Sequence, residues 1–285
     1  LMSELINNTK FRQEKLKELI KSLHEGKTVD EVKEEFQKHF GNVSTSEISQ
    51  IEQELVKEGL PIEEIQRLCD VHASVFKGSI ADIHSAKDYS QIVGHPVNVF
   101  IEENKAIESL INDEIYPNLH ALKEKMDNNK YLLLRIGFER LLEIDKHYAR
   151  KEYLFFPYLE KHNITAPPKV MWGVDDEIRA ELKEVIEMLN SVDLKLDLLQ
   201  EKGEAILQKI LEMIYKENNI LLPLMEETFT FYEWVKIDEA TPEFGYTLVK
   251  PKQSWKVEKN EEPKVEKITP SSDEVEFDAG SLSPI

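Results

Sequence analysis

KHYARKEYLFFPYLEK at 146–161 and MIYKENNILLPLMEE at 213–227 are two versions of one phrase. Each carries Lys-Glu, continues into an apolar run and ends that run at a proline, Pro157 or Pro223. The upstream copy has His147 five residues before Glu152; the downstream copy has Met213 four residues before Glu217. Residues four apart share a helix face, whereas five residues turn the helix about 140° away from eclipsed. Two helices with inward carboxylates, one also bearing a histidine, are the materials of a metal site in a helical bundle. The pair therefore predicts an all-α chain with a bundle built around something bound.

Working outward, helical periodicity continues over about 96–126, 130–162, 173–195 and 198–227, with little strand signal anywhere. Pro96 suits a first helical turn, and Pro117 predicts a kink. Asn128-Asn129 separates the first pattern from the second, and Asn163 with Pro167-Pro168 separates the second from the third. Four helices of similar length with short links predict an antiparallel four-helix bundle, placed at 81–248. Upstream, residues 1–80 read as a small helical module. Leu16, Ile20 and Leu23 share a face in FRQEKLKELIKSLHEG, Gly26 and Gly41 stop helices, and Pro61 opens IEEIQRLCDVHASVF. Downstream, 249–285 is charged and proline-punctuated, the composition of a flexible, disordered linker.

The composition narrows the function. A formal charge of −19 disfavours nucleic acid and anionic membrane surfaces, because both attract basic faces. No apolar run reaches bilayer length and the first residues lack a signal-peptide core, so a cytoplasmic protein is expected. A single cysteine, Cys69, leaves no internal disulfide. No phosphate-binding glycine loop, paired-cysteine motif or nucleophile elbow is present, which weakens nucleotide-binding and hydrolase readings.

Several residues could carry chemistry, and each has an ordinary alternative. Lys151, not Glu152, stands four residues after His147, and a protonated lysine is a poor ligand. His95 before Pro96 could be a ligand or a helix cap. Glu102, Glu103 and Asn104 follow it and could face the centre or the solvent. Asp175 could offer a carboxylate inward or complement the start of a helix. Met213 could ligate haem iron or copper, or fill the core. Cys69 and His72, three apart, permit a two-ligand contribution, against a buried thiol beside a hydrogen-bonded histidine.

GHPVNVFIEENKAIE, KHYARKEYLFFPYLEKHNITAPPKVMWGVDDEIRAEL and MIYKENNILLPLMEETFTFYEW together resemble the hemerythrin-like HHE cation-binding domain, a four-helix bundle. Residues 9–80, ending in LCDVHASVF, are similar to the domain-of-unknown-function family 438 module, and VEFDAGSLSPI looks like the lead-in to a PAS sensor domain whose core is absent here. The resemblance implies two irons on histidines and bridging carboxylates. Aligned on Pro157 and Pro223, His147 falls on a family histidine and Lys151 where a bridging glutamate is expected. Asp175 and Met213 fall on histidine positions, and Glu217 on the second bridging glutamate. The implied metal residues are His95, His147, Glu152, Asp175 and Glu217, with Glu103, Cys69 and His72 as secondary candidates. The eroded set admits mono- or dinuclear non-haem iron, haem with His95, His147 or Met213 as axial ligands, or no metal.

The leading expectation is a sensory or regulatory protein whose bundle binds iron and responds to oxygen, nitric oxide or redox state, signalling to a protein partner. A haem sensor and a metal-free helical interaction module are the alternatives. An iron-dependent enzyme has less support, because no base separate from the ligands is visible.

Overall fold

A computed structural model describes residues 11–12, 14–19, 21–22, 25, 27–40, 45–61 and 89–256. Cys69, His72, the expected helix after Pro61 and the tail from 257 lie outside the described residues. Among those described, the regular structure is helical. Helical residues at 11–12, 14–19 and 21–22 come first, then two short helices, α1 (Val29–Phe40) and α2 (Thr45–Lys57). Leu16, Leu19, Val32, Phe36, Phe40, Ile51 and Leu55 are buried.

Four long helices follow. Helix α3 runs through Pro96–Ser109, a wider Leu110–Ile115 segment and Tyr116–Glu124. Helix α4 comprises Asn128–Leu141, Ile144–Arg150, a second wide segment at Lys151–Phe155, and Phe156–Lys161. Helix α5 is Ala166–Leu189. Helix α6 comprises Leu196–Lys216, a third wide segment at Glu217–Leu221, and Leu222–Thr228. Short connections make neighbours antiparallel, and α3 packs on α4, α4 on α5, α5 on α6 and α6 on α3. This is the antiparallel four-helix bundle that the sequence predicts.

The three wide segments share one cause. In each, the residue before a proline donates its N–H five residues back: Tyr116 to Ile111, Phe156 to Lys151 and Leu222 to Glu217. Proline has no N–H, and in an α-helix its ring would press on the carbonyl four residues back. Widening one turn to the π form relieves that clash while the helix continues. The prolines therefore set the register of the residues just upstream.

The helix ends differ from expectation in instructive ways. Asn128 and Asn129 lie inside α4, because Asp127 caps it by accepting from the N–H groups of Asn129 and Lys130 at 2.8 and 3.0 Å. Pro167 and Pro168 occupy the first turn of α5, where a missing N–H costs nothing, so α5 starts earlier than the prolines suggest. Asn163, at φ 63°, makes the turn between α4 and α5. Gly137 lets α4 approach the wide segment of α3: a Cβ there would lie 2.8 Å from Ile115.

A fifth helix, α7 (Phe231–Phe244), lies against α3 and α4, with Trp234 and Ile237 fully buried. Its start is a reciprocal capping box between Thr230 and Glu233. The segment after α7 also packs. The Thr247 hydroxyl donates to the Glu143 carbonyl at 2.8 Å, and Trp255 meets His95 edge-on at 4.5 Å, although both flank the boundary assigned to the linker. Helix α2 packs on α5 and on the last part of α6, and the Thr165 N–H donates to the Gln53 side chain at 3.3 Å.

Candidate metal centre

Each bundle helix sends polar side chains to one buried place. Helix α3 supplies Glu103, α4 supplies His147, Arg150 and Lys151, α5 supplies Asp175, and α6 supplies Glu217. Of these, Glu103, His147, Lys151, Asp175 and Glu217 have no exposed surface. Charged groups seldom sit this deep unless paired, and here they are. His147 stands between two carboxylates: Nδ1 is 2.9 Å from Glu103 and Nε2 is 3.2 Å from Glu217. Phe100 stacks on the imidazole at 3.7 Å between ring centres. Glu103 also accepts from the Arg150 guanidinium and, at 2.6 Å, from the Thr247 N–H. The segment after α7 is thereby part of the site.

Lys151 occupies the middle. Its ammonium donates to Asp175 at 2.8 Å and to Glu217, and lies 4.3 Å from the centre of the Tyr148 ring. The pairing explains how it stays charged. Burial works against the ammonium, but Asp175 and Glu217 outweigh burial and raise its pKa above the ordinary value. For Glu217, burial opposes ionisation, yet Lys151 and His147 hold the carboxyl down at about 2. For Asp175, burial prevails over Lys151, and the nearby Glu217 adds to it, pushing that carboxyl up to about 8. One ammonium serves two carboxylates; Glu217 takes the larger share, and the Asp175 Oδ2 atom is buried without a partner among the described residues. Burial also pulls Arg150 down to about 10, leaving it charged at neutral pH.

The remaining sequence candidates are elsewhere. Glu152 is buried but turns to Arg179, which grips it through two N–H groups at 2.7 and 2.9 Å and also bonds Asp145. His95 caps α3: its Nδ1 accepts from the Val97 N–H at 3.2 Å. Tyr89 stacks on it at 4.1 Å and Trp234 lies 5.0 Å away, while Nε2 is buried without a partner among the described residues. Burial drops its pKa to about 3, so it is neutral at physiological pH. Met213 is 1 % exposed and belongs to the apolar core. Glu102 pairs with Lys105 on the surface, whereas Asn104 bonds Asn218 at 3.0 Å. Arg150 and Arg179, which neutralise two carboxylates, were absent from the sequence candidates. Basic residues flanking the acids of a buried phrase were the available signal.

The donor set can be tested against the metal that the phrase pattern implies. One imidazole and three carboxylates suit a hard or borderline ion such as ferrous iron. As arranged, however, no three His, Cys, Asp or Glu side chains among the described residues converge to hold an ion. They are engaged with one another, with Arg150 and with Lys151. The arrangement does not fit a dinuclear centre. A single ion is served in kind, by His147, Glu217 and Glu103, but only if their mutual contacts open.

Residues 95–225 match the family model of the hemerythrin HHE cation binding domain, and residues 16–82 match that of a family of unknown function, DUF438. No curated protein matches the chain.

Proposed function

We propose, from the hemerythrin HHE cation-binding domain at 95–225, that the chain is a cytoplasmic regulatory protein whose bundle responds to a cation or redox ligand at the His147 cluster. Iron is the leading ion, and oxygen, nitric oxide or a change of redox state is the expected signal. The observation that best supports this is His147, fully buried with a carboxylate on each ring nitrogen, inside a bundle of cation-binding type. Uptake of an ion would rearrange contacts that tie α3, α4, α5 and α6 together. Helix α2, resting on α5 and α6, offers a route from that change to the N-terminal module and on to a protein partner. No helix among the described residues is long and apolar enough to cross a membrane.

The test is anaerobic loading with Fe(II), desalting, elemental analysis and an absorption spectrum before and after air. About one iron per chain is expected, lost from the His147→Ala/Glu217→Ala variant. A folded parent protein that retains no iron overturns the iron reading. A Soret band on haem addition, abolished in a His95 or His147 variant, would move the assignment to haem. A metal-free interaction module is favoured by one observation, the lysine already seated between Asp175 and Glu217. It predicts a melting temperature indifferent to chelator and to added metal.

A further inference from the structure

We propose that Lys151 is the bundle's own cation: its ammonium holds the place between Asp175 of α5 and Glu217 of α6 that a second metal ion would take, so the centre accepts no more than one ion. This rests on the reading of the cluster as a cation site.

The geometry supports it at three levels. Asp175 and Glu217 come from different helices, and both direct an oxygen at the Lys151 ammonium. Two carboxylates converging from facing helices on one positive centre is how a bundle holds an ion, with nitrogen here in the ion's place. Second, the ammonium has three N–H groups: two meet carboxylates, and the centre of the Tyr148 ring lies 4.3 Å away. Third, the other carboxylates have separate counter-charges. Glu103 has Arg150 and Glu152 has Arg179, which leaves Asp175 with Lys151 as its one hydrogen-bonding cation among the described residues.

The backbone makes the substitution possible. Lys151 opens the wide segment before Pro157, as Glu217 opens the one before Pro223. The same backbone position thus presents a cation on α4 and an anion on α6, and the two side chains bond each other. A metal–oxygen bond is about 2.1 Å. The 2.8 Å from Asp175 to the ammonium is longer, so an ion replacing it draws that carboxylate inward by about 0.7 Å. Removal of the lysine side chain frees that room.

The experiment compares the full chain with Lys151→Ala, Lys151→Arg and Lys151→Ala/Asp175→Asn. Each is incubated anaerobically with Mn(II) or Fe(II), desalted and analysed for metal, then melted with Mn(II) and with EDTA. Lys151→Ala is expected to retain one ion more per chain than the parent and to melt several degrees higher with Mn(II) than with EDTA. Lys151→Arg keeps the parent's count, and the double variant loses the gain. A folded Lys151→Ala protein with no added ion overturns the proposal. If Lys151→Ala does not fold, the double variant, which removes the stranded carboxylate, must be the more stable; if it is not, the proposal falls. The readout is a difference between variant and parent. A parent that retains no iron refutes the iron reading of the function and leaves this difference measurable.

Discussion

The two copies of the phrase differ where they are most alike. Both widen by one residue before a proline, and both aim the first residue of the widened turn at the centre. In α4 that residue is Lys151, and Arg150 and His147 sit just before it; in α6 it is Glu217, with Met213 where His147 would be. One copy has become the cationic half of the site and the other the anionic half. The corresponding turn of α3, before Pro117, begins near Ile111, which is fully buried in the apolar core. The backbone device is thus indifferent to chemistry. It decides which residue faces inward, and the side chain decides whether that place is greasy, positive or negative.

The comparison breaks most severely if both copies carry the same sign. Lys151→Glu sets three carboxylates against one another and should cost about 3–5 kcal/mol, as expected when a buried charge loses its partner. Glu217→Lys should cost as much. The exchange Lys151→Glu/Glu217→Lys should recover a large part of the loss in urea unfolding; a double variant as unstable as the worse single would show that the two positions are not interchangeable.

Acid separates the carboxylates next. Glu217 is held at about 2 against an ordinary 4.5, so its contribution is fully present above pH 4.5 and disappears as pH falls through 2. Asp175 has the opposite sign. Raised from 3.8 to about 8, it contributes stability below pH 3.8 that is lost as pH rises towards 8. Urea midpoints across pH should lose the acid limb in Glu217→Gln and the decline towards neutral pH in Asp175→Asn. Identical profiles in the two variants would contradict the unequal sharing of Lys151.

A smaller effect is expected at Glu152. Arg179 is partly exposed, so Glu152→Gln should cost about 1 kcal/mol and leave metal retention unchanged. A loss of metal would return Glu152 to the centre. The smallest effect is at Pro117. Pro117→Ala should change stability by less than about 1 kcal/mol, because a shift of register there exchanges one apolar contact for another. Pro157→Ala should do more, since the same shift turns Lys151 away from Glu217; equal effects at the two prolines would sever register from charge.

The fold was largely legible because its punctuation is chemical. Pro96 opens α3, Asn163 turns the chain between α4 and α5, and the apolar period fills the bundle. Helix α7 has no counterpart among the helical patterns read from the sequence, which stop at 227, although Thr230 and Glu233 spell a capping box. In the site, His147, Asp175, Glu217 and the secondary candidate Glu103 share one cluster, whereas His95 caps a helix and Glu152 faces Arg179. Lys151 was set aside in the sequence as a poor ligand, and that chemistry is correct. A search for donors cannot register a residue whose role is to be the cation. Arg150, too, becomes visible only once α3 and α4 are packed, because its partner Glu103 is 47 residues away.

The crossing of the chain at the mouth of α3 has a mechanical consequence. Gly94, at φ 86°, lies so close to Gln253 that a Cβ would stand 2.4 Å from its carbonyl oxygen, and Trp255 rests on the neighbouring His95. The strand entering the bundle and the strand leaving it are buckled together at one pole. Tension applied between residues 94 and 255 loads that buckle first. The charged cluster begins about 12 Å along α3, at Glu103, and stays out of the line of force until the buckle opens.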